Sequence, residues 1–198
     1  MWHPIIEQLA GEFDVIAVHL PGFGGCPPLP KTQEPTAGHI ADVIEWSMNQ
    51  VGWDTAHVVG NSLGGWLALE LGVRRRARSV TALMPAGLWR PGHGSDSRRH
   101  RLLFGWWQAL ANSPGAVRAV RNPLLRTIAL AGMQRTMRAL AGTRLDRGAT
   151  ITVPVTVVLG SREPLIRRRD LDMAQLPPHA VSPPSAESVT SRPGTTRI

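Results

Sequence analysis

The sequence predicts an α/β fold, in which a mostly parallel β-sheet carries helices on both faces and a helical insertion between two strands. Short runs of branched apolar residues alternate with segments of helical periodicity, which is typical of parallel strands joined by helices. One predicted strand passes into a helix through a Gly-x-Ser-x-Gly turn. About 65 residues of helical character then separate the third predicted strand from the fourth.

Four short apolar runs predict the strands: residues 14–19, 56–59, 80–84 and 151–159. They are rich in branched side chains and are followed by turn-forming residues, as expected of strands that are buried on both faces. The first run ends at a cluster of prolines and glycines. The last run contains Pro154, which is tolerated where a strand begins or lies at an edge.

Two helices are predicted between these strands. Residues 36–50 carry apolar side chains at helical spacing, with Thr36 as the expected N-cap and Gly52 as the expected stop. Residues 63–73 form the second helix. Three consecutive arginines, residues 74–76, follow its C-terminal end, where cations complement the helix dipole.

The chain divides into four predicted parts. Residues 1–90 form an α/β core, residues 91–148 form the helical insertion, and residues 149–176 return to the core with the last strand and a loop. From residue 177 the sequence is rich in Pro, Ser and Thr and has no periodicity. Residues 177–198 are therefore expected to be a disordered tail.

The composition excludes several classes of protein. Of the 198 residues, 42% are hydrophobic and 18% are charged, which is typical of a globular protein. No apolar run approaches the roughly 20 residues of a membrane helix, and the N-terminus has no secretory pattern. Cys26 is the only cysteine, which excludes an internal disulfide and a cysteine-based zinc site. We expect a cytoplasmic protein with no metal or other cofactor.

The net charge of +8 is unevenly distributed along the chain. Residues 1–70 carry a net charge of −7 and residues 71–198 carry +15, with arginine as the only positively charged residue type of the second segment. A basic segment can bind nucleic acid through phosphate contacts. No helix-turn-helix or RNA-binding signature accompanies these arginines, so no nucleic-acid partner is expected.

The chemistry is predicted by residues 60–65, Gly-Asn-Ser-Leu-Gly-Gly. They place Ser62 on a sharp turn between a strand and a helix, where the backbone is strained and the hydroxyl is exposed. We expect Gly60 and Gly64 to lie where neighbouring backbones pass too close for a side chain. The Leu63 N–H, at the helix N-terminus, is a candidate oxyanion donor. The alternative is that Ser62 is a helix N-cap between two packing glycines.

With this motif between a strand and a helix, the chain resembles the α/β-hydrolase superfamily over residues 2–176. Residues 19–26, His-Leu-Pro-Gly-Phe-Gly-Gly-Cys, look like the family's D-x-P-G-x-G-x-S loop, although its first and last residues differ. The insertion looks like the family's cap, which covers the serine and shapes the substrate pocket. Residues 153–163 look like the strand and loop that present the triad acid. The resemblance places Glu163 at the acid position.

Two parts of the family pattern are missing from the sequence. The family has strands and an H-G loop, which carries the second oxyanion donor, before its equivalent of residues 2–19, so we expect N-terminal truncation and coding sequence upstream of Met1. The triad histidine of the family follows the acid in a G-H motif, whereas only His179 follows Glu163 here. Read one base earlier, the codons of residues 188–198 permit Gly-His-Val-Pro-Thr-Trp-Asp-Asp-Pro. We therefore expect a frameshift near Ala180.

The resemblance implies serine-dependent hydrolysis of a small-molecule ester or related acyl substrate. Ser62 would attack, a histidine would take its proton, and Glu163 would orient that histidine. Carbon–carbon bond hydrolysis and peroxidase-like chemistry stay open, whereas a serine elbow argues against dehalogenase and epoxide-hydrolase chemistry. Because the histidine and the second oxyanion donor are missing, we expect this chain to have almost no turnover of simple aryl esters. The alternatives are a catalytically inactive fragment and an arginine-rich binding module. The sequence leaves the oligomeric state open.

Overall fold

The computed structural model describes residues 2–23, 26–91, 131–160 and 168–183. Its helices are α1 (His3–Leu9), α2 (Ala37–Gln50), α3 (Leu63–Val73) and α4 (Ala131–Leu140), and its strands are β1 (Ala56–Asn61), β2 (Ala77–Leu83) and β3 (Val155–Val158). Short 3₁₀ turns lie at Gly148–Thr150, Arg168–Asp170 and Met173–Gln175. None of the helices in these ranges is long and apolar enough to cross a membrane.

The three described strands form one parallel sheet in the order β1-β2-β3, which confirms the predicted α/β class. Val80 on the central strand is opposite Val58 on β1. α3 packs on the face that carries Val80, since a Cβ built on Gly72 would lie 3.1 Å from Val80 Cγ2. On the opposite face of β1, the side chains of His57 and Val59 are exposed. The described part of the sheet therefore has one covered face and one open face at β1.

Local signals predicted the two connecting helices well. Thr36 caps α2, because its Oγ1 accepts a hydrogen bond of 3.1 Å from the His39 N–H. Gly52 follows the helix with a φ of +75°, a conformation that glycine adopts without steric cost. α3 runs from Leu63 to Val73, the bounds predicted from the sequence. Nearly all of α3 is buried, so this helix forms the centre of the core.

The strands differ from the prediction at their ends. β1 and β2 are each longer than predicted, since pairing with a neighbour extends them beyond their apolar runs. The last strand is shorter and begins after Pro154, whose carbonyl accepts a hydrogen bond of 2.9 Å from the Val80 N–H. Ile151, predicted to start this strand, instead follows a 3₁₀ turn and donates its N–H to the Gly148 carbonyl.

The strand predicted at residues 14–19 is wrong. These residues form no ladder with β1, β2 or β3, and the side chains of Ile16 and Val18 are exposed. A strand is stabilised by hydrogen bonds to a neighbour, so branched residues alone do not make one. The helix α1 before them was not predicted, and it also exposes apolar side chains, Ile5 and Leu9.

The predicted insertion and tail are described only in part. Residues 92–130 of the insertion and residues 184–198 of the tail lie outside the described residues. The insertion ends in α4, which is helical as expected. The first residues of the predicted tail, 177–183, are held on the sheet rather than disordered. There the Val181 N–H donates to the Val155 carbonyl, and the Val181 carbonyl accepts from the Val157 N–H, both at 2.9 Å.

Arg74, at the end of α3, joins this helix to α2. Its guanidinium donates to Asp42 at 2.7 Å, to Glu70 at 3.1 Å and to the Gly38 carbonyl at 2.9 Å, and it lies 3.4 Å from Glu45. Burial acts to lower the pKa of Arg74, but the hydrogen bonds to Asp42 and Glu70 and the charges of Glu45 and Glu70 outweigh it and raise the pKa overall. Arg74 therefore links two helices, in addition to its place near the negative end of the helix dipole.

Replacing Arg74 with methionine is expected to lower the free energy of unfolding by about 1 to 3 kcal/mol, because three carboxylates then lose their shared cation. Urea unfolding followed by circular dichroism measures this change. Arg75→Met is the matched control, since Arg75 is exposed at the same end of the same helix and carries the same charge. Equal losses in the two variants would show that the helix dipole, and not the ion network, accounts for the effect.

Candidate active site

Ser62 joins β1 to α3 in a strained backbone conformation, with φ 54° and ψ −114°. Residues with a Cβ rarely adopt a positive φ, and holding one there costs about 1 to 3 kcal/mol. The serine is exposed, and its side chain makes no capping hydrogen bond to α3. The N-cap alternative therefore does not describe this serine. The turn has the strand-to-helix geometry that presents a nucleophile above a sheet edge.

The backbone of Ser62 is bound on both sides by neighbouring segments. Its N–H donates to the Leu83 carbonyl at the end of β2, at 2.9 Å. Its carbonyl accepts from the Trp66 N–H in α3 at 3.1 Å and from the Ala86 N–H at 3.0 Å. Both backbone polar groups of the strained residue are thus satisfied. The segment after β2 holds the turn in place as much as the helix does.

The two elbow glycines have different roles. A Cβ on Gly60 would lie 2.0 Å from the carbonyl oxygen of Gly64, so Gly60 must lack a side chain, as predicted. A Cβ on Gly64 would meet no atom within 4 Å. The expectation that Gly64 is needed for the same steric reason is therefore wrong. Gly64 contributes the backbone that passes close to Gly60, and its own Cα faces open space.

Sequence reasoning missed two other glycines near the turn. A Cβ on Gly65 would lie 3.1 Å from the Cα and Cβ of Pro85, so this glycine brings α3 close to the segment after β2. Gly87 has a φ of +82°, and a Cβ there would lie 2.4 Å from Cδ2 of the buried Trp66 ring. The doubled glycine at 64–65 was the available signal for the first. No local pattern indicated the contact between Gly87 and Trp66.

A second strained residue lies next to the turn. Met84 has a φ of +42°, and its N–H donates to the Val158 carbonyl on β3 at 2.7 Å. Pro85 follows it and is fully buried. Because the three described strands end at the same edge, this bend lies between the ends of β1 and β3. Two consecutive connections at that edge are thus fixed in conformations typical of functional sites.

The Leu63 N–H is the first amide of α3. The first amides of a helix have no partner within the helix, and they lie at the positive end of its dipole. The Leu63 side chain is buried in the core, which fixes this amide relative to Ser62. Its role as an oxyanion donor stays a prediction.

The acid and the base of a triad are not brought to Ser62 by the described residues. Glu163 lies outside them. His179 Nε2 is 2.9 Å from the carbonyl oxygen of Val153. Val153 precedes the start of β3, whereas Ser62 follows the end of β1, so His179 lies toward the opposite edge of the parallel sheet. His57, near the start of β1, is 2.7 Å from Ser79 Oγ and also lies away from the edge at Ser62.

The family follows from a comparison with known proteins. A family model described as the alpha/beta hydrolase fold matches residues 1–126, more than half of the chain. This chain belongs to the α/β-hydrolase fold family. The matched region contains β1, the Ser62 turn, α3 and β2, so the family assignment covers the candidate site of this α/β hydrolase.

Curated relatives match this α/β hydrolase over short regions. Epoxide hydrolase EphH from Mycobacterium tuberculosis is 58% identical over 50 residues, which is 25% of this chain and 23% of that protein. The pimeloyl-[acyl-carrier protein] methyl ester esterase of Aeromonas hydrophila is 32% identical over 81 residues, which is 39% of this chain and 29% of that protein. The matches thus span about a quarter of the length of these relatives.

Solved structures share the fold of this α/β hydrolase over most of the chain. A hydrolase from Pseudomonas aeruginosa has a TM-score of 0.66 at 18% identity, covering 93% of this chain and 76% of that one. The enol-lactonase from Burkholderia xenovorans has a TM-score of 0.65 at 19% identity, covering 91% and 75%. At these identities the likeness shows the fold alone.

Proposed function

We propose that this α/β hydrolase carries the nucleophile of a serine-dependent acyl hydrolase, which acts on a small ester or related acyl substrate. The observation that carries the proposal is the strained backbone of Ser62, with a φ of 54° and an exposed side chain that caps nothing. A serine that serves only as a helix cap has no need of this strain. Strain that neighbouring segments hold in place is typical of a functional residue.

In the proposed reaction the Ser62 hydroxyl oxygen attacks the acyl carbon while a base takes its proton. The Leu63 N–H donates to the oxygen that becomes negative, and collapse of the tetrahedral intermediate releases the alcohol and leaves an acyl-serine ester. Water then hydrolyses this ester and regenerates the serine. Glu163 is proposed to orient the histidine base, in line with the family pattern. In the structure, neither His179 nor His57 lies where it could act as that base.

Epoxide hydrolysis is the second candidate, because the relative that is 58% identical over 50 residues is named an epoxide hydrolase. The chemistry of the nucleophile separates the two. A carboxylate that opens an epoxide forms an ester, which water can hydrolyse. A serine that opens an epoxide forms an ether, which water does not cleave under the same conditions. Ser62 therefore favours acyl substrates. With an epoxide, the reaction is expected to stop after at most one alkylation of Ser62.

A fluorophosphonate probe tests the proposal directly. At high probe concentration, with imidazole in the buffer as an external base, we expect one label per chain on the peptide that contains Ser62. Intact-mass and peptide mass spectrometry measure it. Ser62→Ala is expected to abolish the label, because no other described serine combines an exposed side chain with a strained strand-to-helix turn.

Ser79→Ala is the matched control. Ser79 Oγ lies 2.7 Å from His57 Nδ1, so it is the serine that a nearby histidine could activate by chance. The proposal expects full labelling in this variant. Labelling that survives in Ser62→Ala and disappears in Ser79→Ala would contradict it and assign the reactivity to the open face of the sheet.

A further inference from the structure

Arg135 on α4 binds a loop that lies about a hundred residues away in the chain. Its Nη1 donates to the Leu29 carbonyl at 2.7 Å. Its Nη2 donates to the carbonyls of Pro30 at 3.1 Å, Lys31 at 3.3 Å and Gln33 at 2.5 Å. One guanidinium therefore serves four backbone oxygens of a single short loop. Within the described residues, no carboxylate forms an ion pair with it.

The sequence of the loop explains why it needs an outside donor. Three of the four residues in 27–30 are prolines, which have a carbonyl but no N–H. The loop therefore has more acceptors than donors, and its turn supplies only the Gln33 N–H, which donates to the Pro30 carbonyl at 3.0 Å. Arginine offers five N–H groups in a planar, rigid fork. Lysine could not span these carbonyls in the same way.

Both partners of this contact rest on the same core. Leu29 in the loop packs against the hydrophobic cluster, and Leu140 at the end of α4 belongs to it. α4 is the last described helix before the chain returns to β3. Arg135 itself is half-buried. The contact thus fixes the place where the insertion rejoins the core.

We propose that Arg135 is a latch, which holds α4 on the loop of residues 26–33 and whose release frees that loop while the sheet stays folded. The proposal is independent of the proposed function, since it rests on the contacts of α4 and the loop and on none of Ser62. Because the acceptors are neutral carbonyls, the latch does not open by titration of a partner. It opens by loss of the guanidinium or by movement of α4.

The sequence offers a single-site assay for this latch. Lys31 is the only lysine in the chain, it is exposed, and its own carbonyl is one of the four acceptors. A lysine-specific endoprotease therefore has one cleavage site, within the latched loop. In Arg135→Met we expect cleavage at Lys31 to accelerate about tenfold or more, because cleavage follows the population of the open loop and several charge-assisted hydrogen bonds are lost.

Arg147→Met is the control, because Arg147 is exposed and its ion pair is to the adjacent Asp146 at 3.5 Å. It removes the same charge and leaves the single lysine site unchanged, so its cleavage rate should equal that of the original chain. Equal cleavage rates in Arg135→Met and the original chain would overturn the proposal.

Hydrogen exchange distinguishes local release from general unfolding. The Gln33 amide reports the loop, and the Val80 amide, which donates to the Pro154 carbonyl, reports the sheet. We expect Arg135→Met to lose protection at Gln33 while Val80 stays protected. If both amides lose protection by the same factor, Arg135 merely stabilises the whole domain and the latch is refuted.

Discussion

Gly60→Ala is expected to lower the free energy of unfolding by about 3 kcal/mol or more, since the added methyl overlaps the Gly64 carbonyl group. The built Cβ lies 2.0 Å from the oxygen and 2.2 Å from the carbon of that group. Both atoms belong to the backbone at the start of α3, which cannot move without displacing Ser62. In a domain of this size the change corresponds to a fall of about 6 to 12 °C in Tm.

Gly64→Ala is the matched variant, and it is expected to change stability in the opposite direction. A Cβ at Gly64 meets no atom within 4 Å, and alanine is a better helix former than glycine by up to about 1 kcal/mol. Urea unfolding curves of the two variants, recorded side by side, measure both effects. Equal destabilisation by the two alanines would contradict the geometry of the turn, because it would mean that each glycine is needed in the same way.

Gly87→Ala is expected to destabilise the protein by about 2 to 5 kcal/mol, from two separate causes. A residue with a Cβ at a φ of +82° pays a conformational cost of about 1 to 2 kcal/mol. The methyl would also lie 2.4 Å from the ring of Trp66, which is 3% exposed and enclosed by the core. Overpacking at such a site typically costs about a further 1 to 3 kcal/mol.

Gly52→Ala separates the two causes. Gly52 has a φ of +75°, but a Cβ there meets nothing within 4 Å. Its substitution should therefore cost only the conformational part, about 1 to 2 kcal/mol. Thermal unfolding of both variants gives the difference, which measures the contact between Gly87 and Trp66. If Gly52→Ala costs as much as Gly87→Ala, the ring contact contributes nothing.

The sequence predicted only those parts of the candidate site that depend on neighbouring residues in the chain. The Gly-x-Ser-x-Gly pattern between a strand and a helix predicted the turn at Ser62, and the structure shows its strained φ. The same pattern assigned equal roles to Gly60 and Gly64, although only Gly60 faces another backbone. Which of the two glycines faces the crowded side depends on the path of α3 relative to β1, and a pattern of spacing does not contain that information.

Helical periodicity and capping residues predicted α2 and α3, because a helix is stabilised by bonds within its own segment. Apolar runs predicted the places of the three parallel strands, which pair with one another, although not their ends. Residues 14–19 have a similar composition but pair with none of the strands in the described ranges, and they form no strand there. Only the tertiary structure decided the contacts between distant segments. Three of these contacts join residues that are between 21 and 106 positions apart. The Ala86 N–H donates to the Ser62 carbonyl, the Trp66 ring lies against Gly87, and Arg135 binds a proline-rich loop. Such contacts depend on how distant segments pack against each other, and the sequence of one segment does not determine that packing.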